Sequence, residues 1–285
     1  MSPQDRGSTT DSFAAIAADL GLQHPVVTRL HGGLSNQAWR LCDARQDLVL
    51  RKAGAAGELL GADRRSEFAM QEMAAAAGLA PSIVLMRPAD GILVTRYVEG
   101  RVPTRDEFRE PGMLARIGAW FAKLHALAPP QGLPTIDFGA RAAGYLEVLR
   151  GKQPSSMLYE LERGLAARRR SLPPLQRFVA CHHDLHHLNV VDRGDALLAL
   201  DWEYAGPGDP AADLAACAGY HDLEAERVES LLGGYGEGVQ PLLARLAPLG
   251  WIFDCLWLGW IEISAQHGDV TDDARRQRLI ARLLP

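Results

Sequence analysis

The chain of 285 residues has room for one large domain or two lobes around a shared core, and it is too long for a disulfide-stapled miniprotein. With 47% hydrophobic and 23% charged residues it has the composition of a folded globular protein, not of a disordered one. A net charge of −5, from 30 basic against 35 acidic residues, argues against holding nucleic acid by bulk electrostatics. Cys42, Cys181, Cys217 and Cys255 form no close pair, so neither a CxxC zinc site nor a secreted disulfide framework is expected. Met1 to Asp11 is polar and lacks the apolar stretch of a signal peptide, which together with the unpaired cysteines predicts a cytoplasmic protein. Leu249 to Ile263 is the most membrane-like stretch. It is read as a buried helix, too short to span and interrupted by Asp254, Gly259 and Glu262, so no membrane partner is expected.

In chain order, a short helix is predicted over Ser12 to Leu20 and strands over Val26 to Leu30, Asn36 to Leu41 and Leu48 to Leu50, with His31-Gly32-Gly33-Leu34-Ser35 as the turn after the first. Glu67 to Ala77 has helical spacing and is stopped by Gly78 and Pro81. Two more strands, Ile83 to Met86 and Ile92 to Val98, meet across Pro88-Ala89-Asp90-Gly91. Beyond Glu99-Gly100-Arg101 the spacing becomes helical over Pro111 to Leu127, Ala140 to Leu149, Met157 to Arg170, Ala211 to Tyr220, Glu224 to Tyr235 and Leu242 to His267. Two lobes are therefore expected: a sheet lobe over residues 1–95, a join at 96–103, and a mainly helical lobe over 104–285.

One non-helical island, Phe178 to Pro210, interrupts the helices. It reads Cys181-His182-His183-Asp184-Leu185-His186-His187-Leu188-Asn189-Val190-Val191, then a turn at Asp192-Arg193-Gly194-Asp195, then Ala196 to Leu200 and Asp201-Trp202-Glu203. Two short apolar strands across a Gly turn make a hairpin, placing Asn189 at the start of one strand and Asp201 at the end of the other. With Asp184 on the preceding loop, three hard oxygen groups can converge, the ligand type that suits Mg²⁺ bound together with substrate phosphates. The four histidines support a rival reading, a zinc or iron hydrolase. Adjacent His-His pairs point to opposite faces of an extended chain, so at most one of each pair can face a metal. The others, His183 and His187 among them, then read as loop histidines.

His182-x-Asp184-x₄-Asn189, followed by Asp201-Trp202-Glu203-Tyr204-Ala205-Gly206, resembles the signature of the aminoglycoside phosphotransferase and choline kinase superfamily, closest in wording to its choline, ethanolamine and thiamine kinase branch. The resemblance extends along almost the whole chain. His31 to Asn36 is similar to the nucleotide loop, Leu48-Val49-Leu50-Arg51 to the basic third strand, Glu67 to the helix glutamate and Thr95-Arg96-Tyr97-Val98-Glu99-Gly100 to the hinge. Leu124-His125 and Asp209-Pro210-Ala211-Ala212-Asp213-Leu214-Ala215 follow in the family's order. The resemblance implies an α+β, two-lobed protein-kinase-like fold and an enzyme that moves the γ-phosphate of ATP, with Mg²⁺, onto a hydroxyl of a small molecule.

It also implies roles. Asp184 is the catalytic base, Asn189 and Asp201 hold Mg²⁺, and Arg51, paired with Glu67, contacts the α and β phosphates. Lys52, on the opposite face of the strand, is the alternative to Arg51. Gly32 and Gly33 allow close backbone approach to the phosphates, Ser35 and Asn36 add donors, and Arg96, Tyr97 and Val98 form the hinge side of the nucleotide site. Asp213 is similar to the residue that ties down the catalytic loop, and His182 to a scaffold residue. His183 stands where the family usually has Gly, a departure that matters if the backbone takes positive φ there. Trp251, Trp257 and Trp260, with Phe253, Asp254 and Glu262, combine ring faces and carboxylates that favour a cation, which fits choline, ethanolamine or thiamine. Leu256, Leu258 and Ile261 in the same run speak instead for core packing. Aminoglycosides or amino sugars are the alternative acceptors, and a catalytically silent, kinase-like binding protein is the alternative to an enzyme. The Arg163, Arg168, Arg169 and Arg170 cluster reads as a solvated helix end. A small-molecule acceptor is the expected partner, and the oligomeric state is left open.

Overall fold

The computed structural model describes residues 15–30, 36–54, 62–266 and 272–284. After a short helix at 15–19, five strands form one antiparallel sheet: β1 (Val26–Leu30), β2 (Asn36–Cys42), β3 (Asp47–Ala53), β4 (Ile83–Arg87) and β5 (Ile92–Arg96), in the spatial order β1-β2-β3-β5-β4. Alternation along β3 sets what this sheet presents. Leu48 and Leu50 turn into a small core with Ile16, Leu22, Leu41, Ile92 and Val94, so Val49 and Arg51 project from the opposite face. Helix α1 (Arg64–Ala76), capped by the Asp63 side chain on the Arg65 amide, brings Glu67 to Arg51. Glu67, Met70, Gln71 and Ala74 are all buried, the spacing of one helical face, and Met70 and Ala74 belong to the larger core below.

Strand β5 stops at Arg96, two residues short of the predicted Val98. Its partner β3 starts at Asp47, whose carbonyl accepts the Tyr97 N–H at 2.9 Å and closes the ladder.

The rest of the chain is mainly helical: α2 (Arg105–Phe108), α3 (Pro111–Ala126), α4 (Phe138–Lys152), α5 (Ser156–Ser171), α6 (Pro210–Tyr220), α7 (Ala225–Tyr235), α8 (Leu243–Gln266) and α9 (Asp273–Leu283). Helices α3 and α7 pack at glycines, where a Cβ at Gly118 would run into the Leu231 carbonyl and one at Gly234 into Ala115. Two helices escaped the sequence reading. Helix α2 is a single turn closed by a Thr104–Glu107 capping box, and α9 buries only Arg275, Leu279 and Leu283, a one-residue-wide stripe in a charged segment.

Between α5 and α6 lie four short strands: β6 (Val179–Cys181) pairs with β9 (Gly206–Gly208), and β7 (Val190–Asp192) with β8 (Leu197–Ala199). The β7–β8 hairpin is the one predicted. Leu200 N–H donates to the Asn189 carbonyl at 2.8 Å, so Asn189 and Asp201 stand at the same end of the hairpin.

Helix α8 corrects one expectation. It is continuous over 24 residues, and the run Glu237–Gln266 is long and apolar enough to cross a membrane by length and composition. Its Asp254, Gly259 and Glu262 do not interrupt it, since helical hydrogen bonding passes through all three. Ile252, Phe253, Cys255, Leu258, Ile261 and Ile263 are buried in the protein core, against α4, α5, α6 and α9.

Candidate active site

The loop between β6 and β7 is anchored from below. Asp213, on α6 and 1% exposed, accepts the backbone N–H of His182 (2.9 Å) and of His183 (2.6 Å), with His125 Nε2 at 3.0 Å. Burial pushes the Asp213 carboxyl up, but the His125 hydrogen bond, the neighbouring imidazoles and the His182 amide outweigh it and hold the pKa at about 2. His183 takes φ 65°, so the backbone does require the left-handed conformation where the family usually has Gly. Its ring is buried beside Phe138, with Nδ1 3.1 Å from the Tyr204 carbonyl. His182 is fully buried, Nε2 bonded to the Leu200 carbonyl (3.0 Å) and Nδ1 accepting from the Asp184 amide (3.3 Å).

Asp184 itself is gripped on both oxygens. Tyr220 Oη donates to Oδ1 at 2.5 Å and Asn189 Nδ2 donates to Oδ2 at 3.2 Å. Burial lifts the Asp184 carboxyl well above the usual carboxylate range, with Asp201 and Glu203 adding to the rise and the Tyr220 and Asn189 hydrogen bonds opposing it. Asp201 adopts φ 59°, a second left-handed residue at the site. Arg51 Nη1 reaches Asp201 Oδ1 at 2.5 Å and its Nη2 is bonded to Glu67; Arg64 joins Glu67 (2.7 Å) and Glu203 (3.4 Å). Asn36 Nδ2 lies 3.3 Å from Asp201 Oδ1 and 3.2 Å from Glu203 Oε2. Of the two candidates on β3, Arg51 lies in this network, whereas Lys52 is exposed on the other face. Glu203, 2% exposed and raised by burial and by Asp201, and Arg64 are members of this network that spacing alone did not single out.

Gly32, Gly33 and Ser35 lie outside the described residues. At the hinge, the amides of Arg96 and Tyr97 are engaged by the Ser82 and Asp47 carbonyls, and the Tyr97 ring lies 3.8 Å from the Arg40 guanidinium carbon. Val98, beyond the end of β5, follows these two.

One cavity is lined by Asp184, Asn189, Asp201 and Glu203 and by the rings of Phe138, Tyr145, Tyr204, Tyr220, Phe253, Trp257 and Trp260. Of the three tryptophans, Trp257 and Trp260 line it, whereas Trp251 is on another face, 4.4 Å from the Arg168 guanidinium. The carboxylates expected to help a cation are already paired: Asp254 with Arg282 (2.7 Å) and Glu262 with Arg276 (2.5 Å), both arginines on α9. Two of the rings carry the chain's own guanidinium groups, Arg275 over Trp257 and Arg141 over Tyr204.

The donor set suits a hard divalent cation. Asn189 commits its amide nitrogen to the Asp184 carbonyl (2.9 Å) and carboxylate, leaving Oδ1 as a neutral oxygen, and Asp184 and Asp201 of the same cavity offer carboxylates. The histidine quartet is otherwise engaged. His182, His183 and His186 engage ring nitrogens with nearby backbone groups, and burial holds His183 and His186 near pKa 4. Among the described residues, the His/Cys/Asp/Glu trio with ligand atoms close enough for a metal is His125, Cys181 and Asp213, and its His and Asp are bonded to each other. Among the described residues, none of the four island histidines belongs to such a group.

The sequence profile of the phosphotransferase enzyme family matches residues 26–249. Protein LicA of Haemophilus influenzae is 30% identical over 109 residues, covering 35% of this chain and 41% of its own. Ethanolamine kinase 2 of Mus musculus is 28% identical over 182 residues, 60% of this chain and 46% of its own. Thiamine kinase of Escherichia coli O1:K1 / APEC is 34% identical over 119 residues, 38% and 42% of the two chains. The matched segments thus span less than half the length of these curated relatives. Similar solved structures reach further: a choline/ethanolamine kinase family protein from Mesorhizobium loti has TM-score 0.80 at 30% identity over 96% of this chain and 93% of that one. Choline kinase LicA from Streptococcus pneumoniae has TM-score 0.81 at 20% identity over 96% and 99%, and LicA has also been solved in complex with AMP. With the expected two-part arrangement of antiparallel sheet and helices in place, the chain has a protein-kinase-like fold and belongs to the phosphotransferase enzyme family.

Proposed function

We propose that the chain is an ATP- and Mg²⁺-dependent kinase that phosphorylates a hydroxyl of a small cationic metabolite of the choline, ethanolamine or thiamine type. The observation that carries this reading is one cavity lined both by Asp184, Asn189 and Asp201 and by a group of aromatic rings. Asp184 takes the role of base. Burial and the neighbouring Asp201 and Glu203 raise its proton affinity, which suits a group that must accept the hydroxyl proton as the oxygen bonds to phosphorus and the ADP oxygen leaves. Asn189 and Asp201 would hold Mg²⁺, which when bound supplies charge neutralisation to the phosphate oxygens. Arg51, held by Glu67, would meet phosphate oxygens, with Asn36 bonded to the same Asp201 and Gly32, Gly33 and Ser35 just before Asn36 in sequence. With the amides of Arg96 and Tyr97 engaged, Val98 is the hinge residue that would meet a nucleotide base.

The ring wall and the names of the relatives support the cationic acceptor. A coupled ADP-release screen against choline, ethanolamine, thiamine, amino sugars and aminoglycosides tests it, with Asp184→Asn expected to abolish turnover while unfolding as wild type does. Turnover by amino sugars or aminoglycosides alone would replace the cationic-metabolite reading, and full activity of Asp184→Asn would remove the base assignment.

A further inference from the structure

We propose that Tyr220 is the positioning residue for the base, holding the Asp184 carboxylate in the orientation from which it takes the acceptor's proton. This rests on the kinase reading above. Tyr220 ends α6 seven residues after Asp213, two helical turns along the same face. One face of one helix therefore ties the loop at the His182 and His183 amides and, further on, the carboxylate of Asp184.

The torsion that turns a carboxylate about its Cβ–Cγ bond is intrinsically soft. Here Tyr220 Oη on Oδ1 (2.5 Å) and Asn189 Nδ2 on Oδ2 (3.2 Å) close it from both sides. A carboxylate oxygen accepts more than one hydrogen bond, so Oδ1 keeps capacity for the acceptor hydroxyl while Tyr220 remains in place. The phenol is itself fixed. Its ring meets Trp257, Phe253 and His186 edge-on, with centroids at 4.5, 4.9 and 5.1 Å. Its carbonyl accepts from Arg275 Nη2 at 3.0 Å, and two residues later Asp222, at φ 48°, binds Arg105, Arg275 and Arg282. The hydroxyl faces the base while the ring walls the acceptor cavity, so orientation and acceptor binding are separable by substitution.

The test compares wild type, Tyr220→Phe, Tyr220→Leu and Asp184→Asn in the full chain by ADP release, using MgATP with whichever of choline, ethanolamine or thiamine turns over fastest. Losing one hydrogen bond to a charged group should lower the kcat of Tyr220→Phe by roughly ten- to a hundredfold, with the acceptor KM within about threefold because the ring remains. Tyr220→Leu should raise the acceptor KM as well. Tyr220→Phe with kcat near wild type, or with its loss confined to KM, overturns the proposal. Asp184→Asn tells the two ideas apart: if it is inactive and Tyr220→Phe is fully active, only the positioning role fails; a fully active Asp184→Asn removes the base assignment and the positioning role with it; and a wild type that releases ADP with none of these acceptors removes the kinase reading on which both rest.

Discussion

Asp213→Asn removes a charge and almost no volume from a fully enclosed place. The Asp213 carboxylate is 1% exposed and receives the His182 amide at 2.9 Å, the His183 amide at 2.6 Å and His125 at 3.0 Å. These donors take its pKa from 3.8 to about 2 against the opposing effect of burial. A fall of about two pH units corresponds to roughly 2.5 kcal/mol in favour of the charged form within the fold. An amide in its place keeps one acceptor oxygen and turns N–H groups toward an N–H donor, leaving a buried donor without a partner at about 1–3 kcal/mol. The expected destabilisation is roughly 3–5 kcal/mol, large for a single isosteric change. Urea unfolding followed by far-ultraviolet circular dichroism at about pH 7 reads it. Because the folded pKa lies below the unfolded one, the charged carboxylate contributes fully above about pH 4 and its contribution is lost as pH falls through about 2. The gap between wild type and variant should therefore stay level across neutral pH and narrow only in strong acid. A variant within about 1 kcal/mol of wild type at neutral pH would refute the account of how the loop is anchored.

Three further outcomes are expected. Burial holds His183 and His186 near pKa 4 and His221 near 3, below the 6.5 of the free ring. The unfolded chain thus takes up these protons first, and stability should fall from about pH 6.5 toward 4 by up to about 1.4 kcal/mol per pH unit for each histidine; an unfolding midpoint that does not move over this range contradicts it. Gly118→Ala and Gly234→Ala each place a methyl group against backbone of the facing helix, so α3 and α7 must separate, at roughly 2–4 kcal/mol, and a thermal midpoint like that of wild type would show that the helices are not in this contact. Arg51→Met leaves Glu67 with Arg64 alone and takes the guanidinium from the partly exposed Asp201, which should destabilise by about 1–3 kcal/mol and abolish the thermal shift given by MgADP; a preserved shift would move the phosphate contact to another residue.

Much of the chemistry lies in short stretches of sequence. Asn189 and Asp201 stand at the same end of a short hairpin because its two strands pair through a tight turn, and β alternation separates Arg51 from Lys52. A helical wheel would have separated the tryptophans too: Trp257 and Trp260 are three apart and share a face, while Trp251, six residues from Trp257, is turned by about 240° and meets Arg168 instead. Helix α9 was harder to read, since a single stripe of three buried residues in a charged run gives little periodic signal.

The amino-acid sequence by itself determined the fold class and the family, because both rest on the order of short motifs along the chain, and it put Asp184, Asn189 and Asp201 forward as candidate oxygen groups from local motifs alone. The tertiary structure decided what surrounds those groups. Only packing brings Tyr220 to Asp184 across 36 positions, pairs Asp254 and Glu262 with arginines of α9, and strips water from the histidines so that they remain neutral. Burial and long-range pairing set these properties, and neither is a property of a segment taken alone.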